Sequence, residues 1–339
     1  MKVLEIRDGF GLDHLLPGER PEPQPAPCQV LLRMKAASLN YRDLMMVNGS
    51  YNPKQPLPLI PCSDGVGEVV AAGAEVRGLE VGDRVATLFH QKWLGGAPAY
   101  DKLRSTLGGP LDGALSEYAV FPEEGVIKVP EHLTDVEAAT LPCAALTAWS
   151  ALATLGDVGA GDTVLVQGTG GVSLFALQLG RALGARVIVT SSSDSKLETA
   201  RKLGSWRQIN YREDPEWGKT ARQLTGGAGV DHIVEVGGAG TLAQSLRAIK
   251  IGGHISVIGV LSGHATELNI LPILMQQVRI QGILVGSREG FEAMNRAIDH
   301  HRIRPVIDRV FPFDEAREAL AYFAGQRHVG KVCIEFDGR

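Results

Sequence analysis

The sequence predicts an α/β protein of two unequal parts: a barrel-like β domain over residues 1–125, completed by 287–339, and a doubly wound parallel sheet over 126–286. Three observations lead there. At 339 residues the chain exceeds what one hydrophobic core usually organises. Its first third is rich in Pro, Gly and short Val/Leu alternations such as QVLLRMKAASLN and GVGEVVAAGAEV, the pattern of short strands joined by turns. From about Thr163 to Gly286 an apolar strand, a glycine turn and an amphipathic helix alternate, as in a parallel sheet wrapped by helices.

The opening MKVLEIRDG carries Lys2, Glu5, Arg7 and Asp8, which leaves no room for the apolar core of a secretory signal, so a cytoplasmic location is expected. PLPLIP, from Pro56 to Pro61, cannot lie inside a helix, because each proline removes a donor and biases its predecessor toward extended geometry. The sheet strands are expected at TVLVQ, RVIVTS, RQIN, HIVEV, HISVIGV and RIQGILVG. Between the first two, Val172, Phe175, Ala176, Leu179 and Leu183 form one apolar helical stripe that should pack on the sheet. Asp194 is the expected N-cap of the next helix and Gly204 its stop, and Asp214-Pro215 opens another. REGFEAMNRAIDHH and DEAREALAYFAG read as helices and KVCIEF as a strand that returns to the first domain. The apolar segment around HISVIGVL and VRIQGILVGS ends the sheet, and an uncovered apolar edge predicts a homodimer.

Composition excludes several classes of function. Apolar residues at 44% and charged residues at 21% describe a globular chain rather than a disordered one. A net charge of −4 leaves no basic surplus for nucleic acid or anionic lipid, and no apolar run approaches the roughly 20 residues that cross a bilayer. Cys28, Cys62, Cys143 and Cys333 lie far apart without a Cys-x-x-Cys pair, which is neither a disulfide framework nor a metal knuckle.

A ligand signal stands where the first sheet strand ends, in VLVQGTGGVSLFALQ. Gly168, Thr169, Gly170, Gly171 and Val172 form a turn that opens a helix, and amides at a helix N-terminus attract a pyrophosphate. The third glycine of the G-x-G-x-x-G pattern is Ser173 here, so the motif draws its weight from its strand–turn–helix context. The second strand ends in Thr190-Ser191-Ser192-Ser193, with no acid to receive a ribose 2′-hydroxyl. Hydroxyls at Ser191 and Ser192 and the charge of Lys196 suit a 2′-phosphate, so NADPH is the expected cofactor. Gly237, Gly259 and Gly286, at or after strand ends, should line its site.

Taken together, ASLNYRDLMMVNGSY, PCSDGVGEVVAAGAEV, VGDRV, ATLPCAALTAW, GTGGVS and VGKVCIEF resemble the medium-chain dehydrogenase/reductase superfamily, in the right order along essentially the whole chain. The resemblance implies a GroES-like β-barrel catalytic domain followed by a Rossmann domain. It implies that Lys196 and Tyr211 hold the 2′-phosphate, as in NADPH-dependent quinone reductases of the superfamily, and that Lys331 of the closing motif joins the cofactor-binding set.

Departures from the zinc alcohol dehydrogenases matter as much. The positions matching their catalytic zinc ligands are Asn40, Ser63 with Asp64, and Cys143, and no cysteine lies between Phe89 and Ser116, where a structural zinc lobe would be. Asn and neutral Ser ligate zinc poorly, so no metal is expected. Without a Lewis acid, conjugated acceptors become the favoured substrates, because a quinone or an α,β-unsaturated carbonyl spreads the incoming charge. Tyr51 resembles the tyrosine that enoyl-thioester reductases of the superfamily use, and is the leading proton donor, with Tyr41 second. Asn40 and Asp43 resemble polar residues near the nicotinamide in zinc-free members, although a structural hydrogen-bonding role for Asp43 stays open. His90 is expected to be a packed or solvated residue. Two alternatives stand beside this reading: a zinc-type alcohol dehydrogenase or aldehyde reductase, and a non-catalytic NADPH-binding structural or regulatory protein.

Overall fold

The computed structural model describes residues 1–336. The strands in chain order are β1 (Lys2–Ile6), β2 (Leu15–Glu19), β3 (Gln29–Ser38), β4 (Asp64–Ala72), β5 (Arg84–Thr87), β6 (Tyr118–Pro122) and β7 (Val126–Lys128). They are followed by β8 (Thr163–Gln167), β9 (Arg186–Ser191), β10 (Arg207–Asn210), β11 (Val230–Glu235), β12 (Ile249–Val257), β13 (Arg279–Gly282), β14 (Ile307–Pro312) and β15 (Lys331–Glu335). The chain divides into one unit of Met1–Leu146 with Gly286–Arg339 and a second of Thr147–Val285. The first boundary thus falls after Leu146 rather than at residue 125, because β7 pairs with β5 and carries the chain beyond 125 into the first unit's sheet.

In the first unit a seven-stranded sheet runs β14-β15-β3-β4-β5-β7, with β6 also on β3. The ten-residue β3 makes this possible by dividing one edge: Gln29–Arg33 pair with β6, and Ala36–Ser38 with β15. Its alternation sends Val30, Leu32 and Met34 into a core shared with Leu115, Phe121, Phe311 and Ile334. The return of β15 therefore delivers Lys331, at its first position, to the end of β3. Residues 56–61 form a loop outside the strands, bridged to β1 from Leu59 to Ile6, as the prolines favour.

The second unit is a six-stranded, all-parallel sheet in the order β10-β9-β8-β11-β12-β13, so the strand order reverses between β8 and β11. The helix Gly171–Ala182 follows β8 and buries Ser173, Leu174, Phe175, Ala176, Leu177 and Leu179. Val172 and Leu183 of the expected stripe are only half-buried. The buried face also takes in Leu174 and Leu177, so it is broader than the single i, i+3, i+4 row. The next helix, Asp194–Lys202, is preceded by Ser193 at its N-cap, with Asp194 one position inside, where its carboxylate accepts from Asn210 Nδ2 at 2.9 Å. The helix expected from Asp214-Pro215 begins at Trp217, whose indole is buried.

The segment Asp135–Thr154 is a 20-residue helical stretch that meets the length and apolarity of a membrane span, a run that sequence patterning alone did not single out. It is mostly buried, as a core helix of a globular fold is.

Candidate active site

In the first unit the site is built where β3 ends. Asn40 is the N-cap of the helix Tyr41–Val47, and its backbone N–H donates to Asp43 Oδ2 at 2.8 Å. Asp43 is thereby committed to starting the helix, which fixes the backbone that carries Asn40. Burial raises the Asp43 carboxyl above its ordinary range, against the opposing charge of Arg42. Across from it Lys331 is 3% exposed, and its Nζ donates to Leu39 O at 2.7 Å and to Asn40 Oδ1 at 2.5 Å.

Ser63 and Asp64, at the start of β4, are both fully buried. Ser63 Oγ donates to Asp64 Oδ1 at 2.7 Å, and the Cys143 backbone N–H donates to Asp64 Oδ2 at 3.1 Å. Thr87 Oγ1 donates to Ser63 O at 3.0 Å and accepts from the Gly65 N–H at 3.1 Å, fixing this corner. Burial pushes Asp64 up to about 6, with Lys331 the main opposing influence. Burial and then Asp64 push the Cys143 thiol far upward, so it keeps its proton.

This donor set does not suit zinc. A tetrahedral site wants thiolate, imidazole or carboxylate ligands. Here one position is a carboxamide already facing an ammonium and another a serine hydroxyl committed to Asp64, which leaves one thiol and one carboxylate, fewer than the three protein ligands of a catalytic zinc. No group of three or more His, Cys, Asp or Glu arranged to hold a metal occurs among the described residues.

Tyr51 lies just past the helix Tyr41–Val47 and is 44% exposed, against 37% for Tyr41. The Arg42 guanidinium sits 5.0 Å from the Tyr51 ring centroid and 5.1 Å from that of Phe89, while donating to Leu107 O and Gly109 O. This buried arginine, which patterning did not flag, holds the tyrosine's ring by its face and leaves its hydroxyl without a hydrogen bond among the described residues. His90 is buried, with Nδ1 3.2 Å from Thr106 Oγ1 and its ring against Phe89 and Trp93, which is a packed role.

The second unit presents the nucleotide-binding turn. Gly168 has φ of +74°, where a side chain would be strained, and its N–H donates to Thr190 O at 2.7 Å. A Cβ on Gly170, the N-cap of Gly171–Ala182, would meet no protein atom within 4 Å. That open approach to a helix N-terminus is the cradle that a pyrophosphate fits. Ser173, in place of the third glycine, donates from Oγ to Gln167 O at 2.7 Å and ties the helix to the end of β8. Thr169 is buried within the turn, with Gly171 and Val172 half-buried beside it.

A buried network missed by pattern reading organises the neighbouring strand end. Glu235, closing β11, accepts from Gln167 Nε2 at 2.6 Å, Ser245 Oγ at 2.5 Å, Thr241 Oγ1 at 2.5 Å and the N–H groups of Gly237 and Gly238 at 2.9 and 3.0 Å. Its only sequence signal is polarity at the last position of an apolar strand, shared with Gln167. Gly237 and Gly259 cannot carry a side chain here, since a Cβ would come within 2.2 Å of Thr241 Oγ1 and 2.5 Å of Val236 O respectively. Ser191 closes β9 and Ser192 follows it. Lys196 lies in the first turn of the next helix, and the Tyr211 backbone N–H donates to Ser191 O at 3.0 Å. The fold thus gathers Ser191, Ser192, Lys196 and Tyr211 around the end of β9. Gly286 and Lys331 belong to the first unit.

Comparison with known proteins fits this arrangement. Residues 26–131 match the family model of the alcohol dehydrogenase GroES-like domain, and 171–300 that of zinc-binding dehydrogenase. A zinc-type alcohol dehydrogenase-like protein of Schizosaccharomyces pombe is 45% identical over 96% of both chains. An acryloyl-coenzyme A reductase of Sulfurisphaera tokodaii is 27% identical over 99% of this chain and 100% of its own. Among solved structures, a putative alcohol dehydrogenase from Sinorhizobium meliloti 1021 aligns with TM-score 0.91 and 43% identity over 99% and 98% of the two chains. A mycobacterial protein complexed with NADPH aligns at 0.82 and 27% over 99% of each. With a GroES-like unit, an all-parallel Rossmann sheet and relatives alike over their full lengths, the chain belongs to the medium-chain dehydrogenase/reductase superfamily, as an alcohol-dehydrogenase-like oxidoreductase of a fold that binds a nicotinamide cofactor.

Proposed function

We propose that the chain is an NADPH-dependent reductase that transfers hydride to a quinone or an α,β-unsaturated carbonyl without zinc. The observation that carries this reading is the Lys331–Asn40 contact: a buried ammonium lies against a carboxamide at the position where zinc alcohol dehydrogenases hold a metal thiolate. Ser191, Ser192, Lys196 and Tyr211 support NADPH, since hydroxyls and a cation suit a 2′-phosphate that a carboxylate would repel.

When bound, the reduced nicotinamide supplies the hydride. The chain's own task is to receive the charge that then develops on the acceptor. Addition at the β-carbon moves an electron pair to the carbonyl oxygen, and the Asn40 amide is the neutral polar group of the corner built by β3, β4 and β15 that can orient the acceptor there. Tyr51 supplies a hydroxyl for protonation, and Arg42 keeps its ring in place. A conjugated acceptor suits such hydrogen bonding, because its charge is spread before the proton arrives. The resemblance to an acryloyl-coenzyme A reductase favours this acceptor class. Resemblance to alcohol dehydrogenases favours a second reading, a zinc-dependent alcohol or aldehyde enzyme.

One experiment separates the two: NADPH and NADH oxidation against quinones, enones, enoyl thioesters and simple aldehydes, together with metal analysis. Turnover of conjugated acceptors, preference for NADPH and well under one zinc per chain are expected. Stoichiometric zinc whose chelation removes activity would replace this reading with the second, and a preference for NADH would remove its cofactor half.

A further inference from the structure

Strand order in the second unit reverses between β8 and β11, and in a doubly wound sheet the ligand crevice opens at the carboxyl ends of the strands that flank such a reversal. One fully buried side chain, Glu235, ties those two ends together. Its Oε2 accepts from Ser245 Oγ and from Nε2 of Gln167, the last residue of β8. Its Oε1 accepts from Thr241 Oγ1 and from the N–H groups of Gly237 and Gly238. Gln167 completes the link, because its Oε1 accepts from the N–H groups of Val236 and Gly237, each at 3.2 Å. The turn 237–241 in its turn holds the one after β12. Ser262 donates to Gly237 O from its N–H and its Oγ, each at 2.8 Å, and the Ala239 N–H donates to Gly263 O at 2.9 Å. Gly238 has φ of +82°, and a Cβ on it would come within 2.7 Å of Gly263 O. Ser191, Ser192 and Lys196, the residues suited to a 2′-phosphate, follow β9 on the other side of the reversal.

We propose that Glu235 is a positioning residue for the cofactor: it shapes the turns 237–241 and 259–263 so that they receive the nicotinamide half, while the adenosine half is held separately after β8 and β9. A doubly wound sheet has two mononucleotide halves, and Glu235 with Gln167 sets the backbone of the second against the end of the first. This placement rests on the nicotinamide-binding fold and is independent of the acceptor; only the choice of probe follows from the NADPH reading.

Glu235→Gln keeps the shape of the side chain and breaks the hydrogen-bond pattern. Wherever the new amide nitrogen points it meets donors, two backbone N–H groups on one side and the Gln167 amide nitrogen on the other. Gln167 cannot turn over in response, since its oxygen already serves two N–H groups. Exchanging the pair, Gln167→Glu with Glu235→Gln, restores a donor opposite an acceptor at each contact and keeps the net charge. Calorimetric titration of the folded parent, the single variant and the exchanged pair gives Kd for NADPH and for adenosine 2′,5′-bisphosphate, which carries the adenosine half alone. Glu235→Gln is expected to weaken NADPH by about 10- to 100-fold, within the range for groups coupled in one network. The bisphosphate should stay within about 3-fold of the parent, and the exchanged pair should return NADPH to within about 3-fold. Removing a negative charge beside a polyanion would by itself tighten binding, so a loss of affinity reports geometry.

Unchanged or tighter NADPH binding by Glu235→Gln would overturn the proposal. So would equal weakening of NADPH and the bisphosphate, which would make Glu235 a support of the sheet as a whole. An exchanged pair that binds NADPH as weakly as the single variant would overturn it as well, since the hydrogen-bond pattern would then not be what counts. If the parent binds NADH more tightly than NADPH, the NADPH reading falls alone and the comparison is repeated with NADH and ADP; a parent that binds neither cofactor removes both. Should Glu235→Gln fail to fold, Thr241→Val takes its place, because it removes one donor from the network and leaves the carboxylate. NADPH binding weaker by at least about 3-fold, with the bisphosphate unmoved, is then expected, and unchanged NADPH binding overturns the proposal.

Discussion

Tyr51 owes its place to a residue no pattern pointed at. Arg42 is buried between the faces of Tyr51 and Phe89 and donates to two backbone carbonyls, so a half-exposed tyrosine beyond the helix end has a defined ring and a hydroxyl to offer. Removing only the oxygen leaves that stack intact. Tyr51→Phe is therefore expected to lower kcat on enones by about 10- to 1000-fold, the range for a lost acid or oxyanion donor, with little change in NADPH affinity. A quinone should suffer less, since aromatisation stabilises its reduced anion. Stopped-flow rates on both substrate classes check this. Full activity of Tyr51→Phe on every accepted enone, with loss in Tyr41→Phe, would move the role to the neighbouring tyrosine. Asp43 shows the other side of residue-scale reading: it was legible as polar and near the site, and its contacts give it the capping of a helix.

At the scale of elements, local rules carried far. The six strands of the second unit and the helix after the first were readable because period and glycine turns are properties of short segments. Where they slipped, at the Val172–Leu183 stripe and the start of the helix at Trp217, packing on both flanks and burial of one indole outweighed local cues. The edge strand β13 has no partner on its outer side among the described residues. In the segment that precedes it Ile270, Leu271, Leu274 and Met275 are between 59% and 74% exposed, and Ile251 of β12 is 70% exposed, large apolar side chains open to solvent near this edge. A homodimer that pairs this edge with its copy is expected, and multi-angle light scattering should return twice the chain mass. Leu274→Asp should shift the equilibrium toward monomer. A monomer mass for the parent at micromolar concentration would refute the pairing.

For the molecule as a whole, buried titratable groups give a pH signature. His232 and His254 face each other on β11 and β12, ring centroids 4.7 Å apart, with His232 Nε2 3.0 Å from Ser256 Oγ. Burial, and then the neighbouring His254 and Arg279, push His232 down from 6.5 to about 3. Between those values the unfolded chain holds a proton that the fold rejects, so stability falls as pH falls, by at most about 1.4 kcal/mol per unit. Asp64 works in the opposite sense. Raised from 3.8 to about 6, it contributes stability that is fully present below 3.8 and lost as pH rises through 6. His232→Gln isolates the first effect: relative to the parent it should gain roughly 2–3 kcal/mol between pH 7 and pH 4.5 in urea unfolding followed by tryptophan fluorescence. Parallel pH curves for parent and variant would contradict the shift.

Sequence by itself determined the order of the two kinds of domain, the strand–turn–helix rhythm of the second, the glycine turn at Gly168–Val172, the serine-rich end of β9 and the loss of zinc-type ligands at Asn40 and Ser63. Each of these is written within a few neighbouring residues, where sterics, hydrogen-bond capacity and side-chain period act directly. Tertiary structure decided which of them meet. Lys331 reaches Asn40 across 291 positions only because β15 returns beside β3, and Cys143 donates to Asp64 across 79. Arg42 slides between two rings that no spacing rule links, and Glu235 collects donors from two strand ends and a helix. Such contacts have no local period, because they arise from where packed layers bring distant segments of the chain together. Burial then sets the ionisation of Asp64, and the contact with Lys331 sets the orientation of the Asn40 amide, and both properties belong to the packed site rather than to the residues that make it.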